Sequence, residues 1–142
     1  MKAAEEFVKA MESNNLKVEH QTAGEEGNKS EFIRMGFSGK NFSNLVFHLV
    51  FDQEGSHSAQ MFCNEICRFD ESKNLLMLQT VNALNTKYRW VTFFVSENGT
   101  VNANMSVAFT DEASNQLLIN YLEHFVGVID VAYPILMKAL YA

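Results

Sequence analysis

Hydrophobic positions recur at two different periods along this chain, and the switches between them lay out its elements. In "KAAEEFVKAMES" Ala3, Phe7 and Met11 fall at helical spacing with charges opposite, which predicts an amphipathic helix over residues 2–13. "LKVEHQT" reads as a short strand, and the polar, acidic, glycine-bearing "AGEEGNKS" as a loop. A second strand is predicted in "EFIRMGF". A third follows in "NLVFHLVFD", where Leu45, Phe47, Leu49 and Phe51 alternate with Val46, His48 and Val50. Beyond the loop "DQEGSHS", a fourth strand is placed around "AQMFCNEICRF", whose period fits a strand less cleanly than its neighbours.

Helical spacing then returns. Asp70 or Ser72 can cap a helix running through "KNLLMLQTVNALN". In "VNANMSVAF" the period is two again. Val101, Ala103, Met105, Val107 and Phe109 share a face to be buried, while Asn102, Asn104, Ser106 and Ala108 share a wet one. Asn98-Gly99 supplies the two-residue turn that pairs this strand with "RWVTFFV" in a hairpin. Thr110 can cap a long last helix, with Asp111 and Glu112 favoured at its positive end; Leu117, Leu118, Tyr121, Leu122, Phe125 and Ile129 form its apolar face. Pro134 should kink or restart it. The order α-β-β-β-(β)-α-β-β-α predicts a single α+β domain over residues 1–142, an antiparallel sheet with helices packed on it.

Composition agrees with one globular core. The 142 residues are 47% hydrophobic and 20% charged, and 12 of them are Phe. A net charge of -6 disfavours nucleic acid as a partner, because counterion release needs clustered cations and these are scattered. The longest apolar region, "YLEHFVGVIDVAYPILMKALYA", is interrupted by Glu123, His124, Asp130 and Pro134, so no membrane span is expected. The first residues lack a signal-peptide pattern, which points to the cytoplasm, and Cys63 with Cys67 would then be reduced thiols. The sequons at Asn28, Asn41, Asn98 and Asn104 become chance matches.

Candidate chemistry is sparse. Cys63 and Cys67 on one strand would stand about 13 Å apart, too far to share a metal or a disulfide, and His57 is the one histidine near them in sequence. His20, His48 and His124 lie on separate elements, with His48 read as a packing residue. No phosphate loop, nucleophile elbow, dinucleotide fingerprint or calcium loop occurs; the "GEEG" at Gly24 to Gly27 carries carboxylates that would repel phosphates. The acidic pairs Glu5 with Glu6 and Glu25 with Glu26 stand at solvated positions. No catalytic residue, metal site or cofactor is expected.

The stretch "NALNTKYRW" concentrates what remains. Leu78, Val81, Asn82 and Asn85 share a helical stripe, so the amides of Asn82 and Asn85 can satisfy backbone groups at the helix end before Trp90 enters the sheet. This is a structural hinge, with Lys87 and Arg89 alternating outward on a strand. With the preceding "LMLQTV", the following hairpin and "VIDVAYPILMKAL", the stretch resembles the YbjN family of bacterial sensory transduction regulators over roughly residues 1–142. The resemblance implies a fold similar to type III secretion chaperones and no catalytic residues. It also implies a non-catalytic module, chaperone-like or regulatory, that binds a protein or peptide; the alternative is a small-ligand sensor, or an enzyme with a pocket between sheet and helices. A homodimer is expected, by analogy with those chaperones and because the last helix carries more apolar positions than one stripe needs.

Overall fold

The computed structural model describes residues 2–21, 31–52, 57–110 and 114–142. The amphipathic start forms α1 (Lys2–Ser13), which buries Ala4, Phe7 and Met11, while Ala3 is half-buried. Strands β1 (Val18–Gln21), β2 (Glu31–Phe37), β3 (Leu45–Phe51) and β4 (Ser58–Arg68) follow. A 3-10 turn (Glu71–Lys73) leads into α2 (Asn74–Lys87), then come β5 (Thr92–Val95), β6 (Thr100–Ala108) and α3 (Ser114–Leu140). The fourth strand is therefore real, and the protein is α+β with helices on a six-stranded antiparallel sheet of order β1-β2-β3-β4-β6-β5.

Register explains why the alternating pattern reads so clearly. Ile33, Leu49, Met61 and Met105 form one row across the sheet, and Met35, Phe47, Cys63, Ala103 and Phe93 form the next. All are buried, so they mark the face covered by the helices. On that face α3 packs against β4 and β6 and is flanked by α1 and α2. The wide apolar arc of α3 is thus largely used within the chain. Val128 and Ile129 are buried, and Val126, Tyr133, Met137 and Leu140 are half-buried. Val131 and Ile135 stay exposed. Among the described residues no helix is long and apolar enough to cross a membrane.

Four local expectations are corrected, each for a physical reason. Asn102 is buried rather than wet, because residues 64–66 of β4 bulge opposite it between the pairs Cys63–Ala103 and Cys67–Val101. Glu65, at φ +53°, donates its backbone N–H to Asn102 Oδ1 at 2.9 Å, and Asn102 Nδ2 donates to Thr100 Oγ1 at 3.1 Å. The hairpin turn takes more than Asn98-Gly99. Gly99 N–H donates to the Ser96 carbonyl at 3.1 Å, Ser96 N–H donates to that of Thr100 at 2.9 Å, and in the turn only Gly99, at φ 74°, is left-handed. This is a type I turn closed by a glycine bulge. A Cβ on Gly99 would also meet the Phe69 carbonyl at 2.9 Å.

Neither Asp70 nor Ser72 caps α2 with its side chain; the 3-10 turn intervenes, with Lys73 N–H donating to the Asp70 carbonyl at 2.8 Å. Pro134 does not restart α3, which runs through it. A proline leaves the carbonyl four residues back without its helical donor, here that of Asp130. Asn41 Nδ2 donates to that carbonyl at 3.0 Å, and Asn41 N–H donates to Asp130 Oδ1 at 2.8 Å. The link between β2 and β3 thereby repairs the helix. Asp111 and Glu112, expected at the positive end of the last helix, the "GEEG" loop and most of the "DQEGSHS" loop lie outside the described residues.

Candidate functional site

A helix resting on a core needs one apolar side, and α2 has apolar residues on more than one. Met77, Val81 and Leu84 are buried. Leu75, Leu76 and Leu78 are exposed, Leu75 at 68%. Leu78 and Asn82 therefore turn to solvent, and the expected shared stripe with Val81 splits between the two sides of the helix. Beyond α2, Trp90 and Phe94 are exposed as well. Of the large hydrophobic side chains exposed among the described residues, five fall between positions 75 and 94. Single exposed leucines are ordinary, whereas such a concentration along the sequence singles out α2, Trp90 and β5 as a candidate contact surface.

The "NALNTKYRW" stretch organises the border of this surface. Asn85 sits beside β5, an edge strand of the sheet. Its Nδ2 donates to the Phe93 carbonyl at 2.9 Å, and Phe93 N–H donates to its Oδ1 at 2.7 Å. The amide thus acts as one residue of a neighbouring strand and occupies the outward groups of Phe93. Asn82 does not share this task. It is exposed, and its side chain has no hydrogen-bond partner among the described residues; its carbonyl accepts from Thr86 Oγ1 at 2.9 Å.

The two bonds of Asn85 make a specific expectation. Asn85→Ala should lower stability by about 1–3 kcal/mol. Asn85→Asp should cost at least as much, because a carboxylate can accept from Phe93 N–H but faces its carbonyl without a proton to donate. Urea midpoints for the two variants check this, with Asn82→Ala expected to stay near the wild type.

Trp90 is the second unusual member. It is 71% exposed and its φ of 75° lies in the left-handed region. A bulky side chain there costs on the order of 1–3 kcal/mol and persists only where the surrounding structure holds it in place. Nor do Lys87 and Arg89 alternate along a strand as expected. Lys87 ends α2, Arg89 lies in the connection, and the strand starts only at Thr92. Both are exposed, with Lys87 Nζ 5.4 Å from the centre of the Tyr88 ring.

Elsewhere the chemistry is quiet. Cys63 and Cys67 are buried free thiols, and burial pushes them up to about 12 and about 11, away from any reactive thiolate. His48 stands edge-on to Phe32 with ring centroids 6.4 Å apart; burial, and then the charge of Arg34, lower its pKa. It is a neutral packing residue of the sheet's outer face. No cluster of His, Cys, Asp and Glu able to hold a metal occurs among the described residues. An apolar cleft of about 330 Å³ lies between α1, α3 and the start of the β2–β3 link, lined by Met11, Leu16, Phe37, Ile119, Leu122 and Val126.

Comparison with known proteins places the chain in a family. A protein-family model described as "YbjN: Putative bacterial sensory transduction regulator" matches residues 31–136, from β2 to within α3. The chain belongs to the YbjN family. The match contains α2, Trp90 and β5 whole. A search of curated proteins finds no match. Among solved structures, one titled "Crystal structure of YbjN, a putative transcription regulator from E. coli" superimposes with a TM-score of 0.59. It is 8% identical, with 94% of this chain and 88% of that chain covered. At that identity the likeness establishes the YbjN fold alone.

Proposed function

We propose that this YbjN-family chain is a non-catalytic regulatory module of the cytoplasm that holds a segment of another protein, in the manner of a chaperone. The observation that carries this reading is the group of exposed apolar side chains on α2, Trp90 and β5, which holds five of the nine large hydrophobic residues exposed among the described residues. The strain at Trp90 supports it, since stability alone favours glycine at a left-handed position. The two thiols, Cys63 and Cys67, are buried with raised pKa values, which disfavours a thiolate nucleophile at either position.

Trp90→Gly separates the two roles of the residue. The variant should melt no lower than the wild type, because it relieves the backbone, yet it should lose most of its partner in pulldowns from native cells. A variant that melts normally and retains the full set of partners would contradict the reading. Homodimerisation is part of the proposal. Since α3 is mostly covered within the chain, the half-buried Phe32, Val46, Val50 and Phe62 of the outer sheet face give a second copy its surface. Light scattering at micromolar concentration should give twice the 16.1 kDa chain mass; the single mass would exclude the dimer.

The cleft between α1 and α3 favours a second reading, a small apolar ligand that the module senses. Gly127 lines this cleft, and a Cβ there meets nothing within 4 Å. Gly127→Leu should therefore fold and fill the cleft. If ligand sensing is the function, this variant loses regulation in the cell while α2 surface variants keep it.

A further inference from the structure

The exposed apolar surface of α2 and β5 has a charge pattern at odds with the rest of the chain. Between Ser72 and Ser96 the sequence contains Lys73, Lys87 and Arg89 and no Asp or Glu, although the whole chain has a net charge of -6. Lys73 donates to the carbonyl of Ala142. Lys87 and Arg89 remain, both exposed and flanking Tyr88 in the sequence just before Trp90, and neither forms an ion pair with a described residue. Two uncompensated cations beside an exposed Trp, in a protein with 17 acidic residues, form a positive border to an apolar surface. A second copy offering the same surface through a two-fold axis would bring these cations together.

The geometry also limits how a partner can bind. Strand addition to β5 would need the outward N–H and carbonyl of Phe93, and Asn85 holds both. Contact must then run through side chains. Leu75 and Leu78 lie three residues apart on α2, whose 14 residues extend over about 21 Å, room for about four turns of a second helix.

We propose that this surface takes an acidic amphipathic helix, with its apolar side on Leu75, Leu78 and Trp90 and its carboxylates at Lys87 and Arg89. The proposal rests on the protein-binding reading above and names the chemistry of the partner.

Trp90 is the sole tryptophan, so its emission reports the contact directly. The probes are two synthetic helical peptides with one leucine stripe, the first flanked by glutamate and the second by lysine. The acidic peptide should shift Trp90 emission saturably, bind at least about tenfold more tightly than the basic one, and weaken as salt is added. In Lys87→Glu/Arg89→Glu the preference should invert. In Leu75→Ser/Leu78→Ser, with circular dichroism unchanged, both peptides should fail to bind. Equal binding of the two peptides, or preference for the basic one, overturns the acidic partner while leaving protein binding intact. Binding that survives the leucine replacements overturns the use of this surface. If neither peptide binds the wild type, the helical partner is overturned, and retention of native partners by the charge-reversed variant then shows that the protein-binding reading stands without it.

Discussion

Phe47→Ala should cost about 3–5 kcal/mol, the largest loss expected of any single truncation in this protein. Phe47 is fully buried on β3, and its ring meets three others: Phe37 at 5.6 Å, Phe42 at 6.2 Å and Phe125 at 5.7 Å between centroids. These come from β2, from the link after it and from α3, so one side chain joins the sheet to both. Removing it forfeits apolar burial, the edge-on contacts with Phe37 and Phe125, and the packing that seats Phe42 beside Tyr133. The surroundings are rows of a continuous sheet, which cannot collapse into the space, so the cavity term should be near its full size. Phe62→Ala, one strand away but on the half-buried outer face, should cost less than half as much. Urea midpoints of the pair check the difference, and equal losses would mean that the two faces of the sheet are misassigned.

His20→Ala should cost about 3 kcal/mol near neutral pH. The Nε2 of His20 on β1 lies 2.6 Å from Oε2 of Glu31 at the start of β2, and the Glu31 side chain is 1% exposed. Burial acts to raise the Glu31 pKa, but hydrogen bonds, one of them with His20, outweigh it and hold the carboxyl below its ordinary 4.5. A depressed carboxylate contributes stability that is present in full above its unfolded pKa and lost as pH falls through the folded one. Acid loss of this contribution in the wild type therefore begins only below about pH 4.5. Without His20, desolvation has less to oppose it, and the loss should move toward higher pH. Urea midpoints between about pH 3 and 7 measure both effects. Parallel pH profiles for the two proteins would show that His20 does not hold the charge of Glu31.

The parts of the fold legible in the sequence are those where burial alternates at a single period. β3 and the second half of β6 have one buried and one outer face over an unbroken ladder, so Phe47, Leu49, Phe51, Met105 and Val107 could be placed by pattern alone. Asn102 could not, because the bulge opposite it creates backbone groups that only a buried amide satisfies, and no local pattern signals a bulge on another strand. Pro134 does not restart the helix for the same kind of reason: the repair comes from Asn41, far away in sequence. The expected hinge at Asn82, Asn85 and Trp90 resolves into three different situations, and only the one at Asn85 depends on a partner strand. The signal for the exposed surface was present in "LLMLQTV", where apolar residues surround the helix instead of keeping to one side. It becomes readable as exposure only once β5 and α3 are seen to cover Met77, Val81 and Leu84 and leave Leu75 and Leu78 open.

Site-specific photocrosslinking in living cells tests the central claim most directly, with a photoreactive phenylalanine analogue placed at position 75 and, as a control, at Gln60 on the outer face of the sheet. Gln60 is exposed like Leu75 but lies on the face proposed for the second copy, so any adduct of its own should be the chain's dimer and not another protein. Position 75 should give a discrete protein adduct that disappears when Trp90→Gly is introduced into the same chain. Adducts from position 60 alone, or an adduct from position 75 that is unaffected by Trp90→Gly, would contradict it.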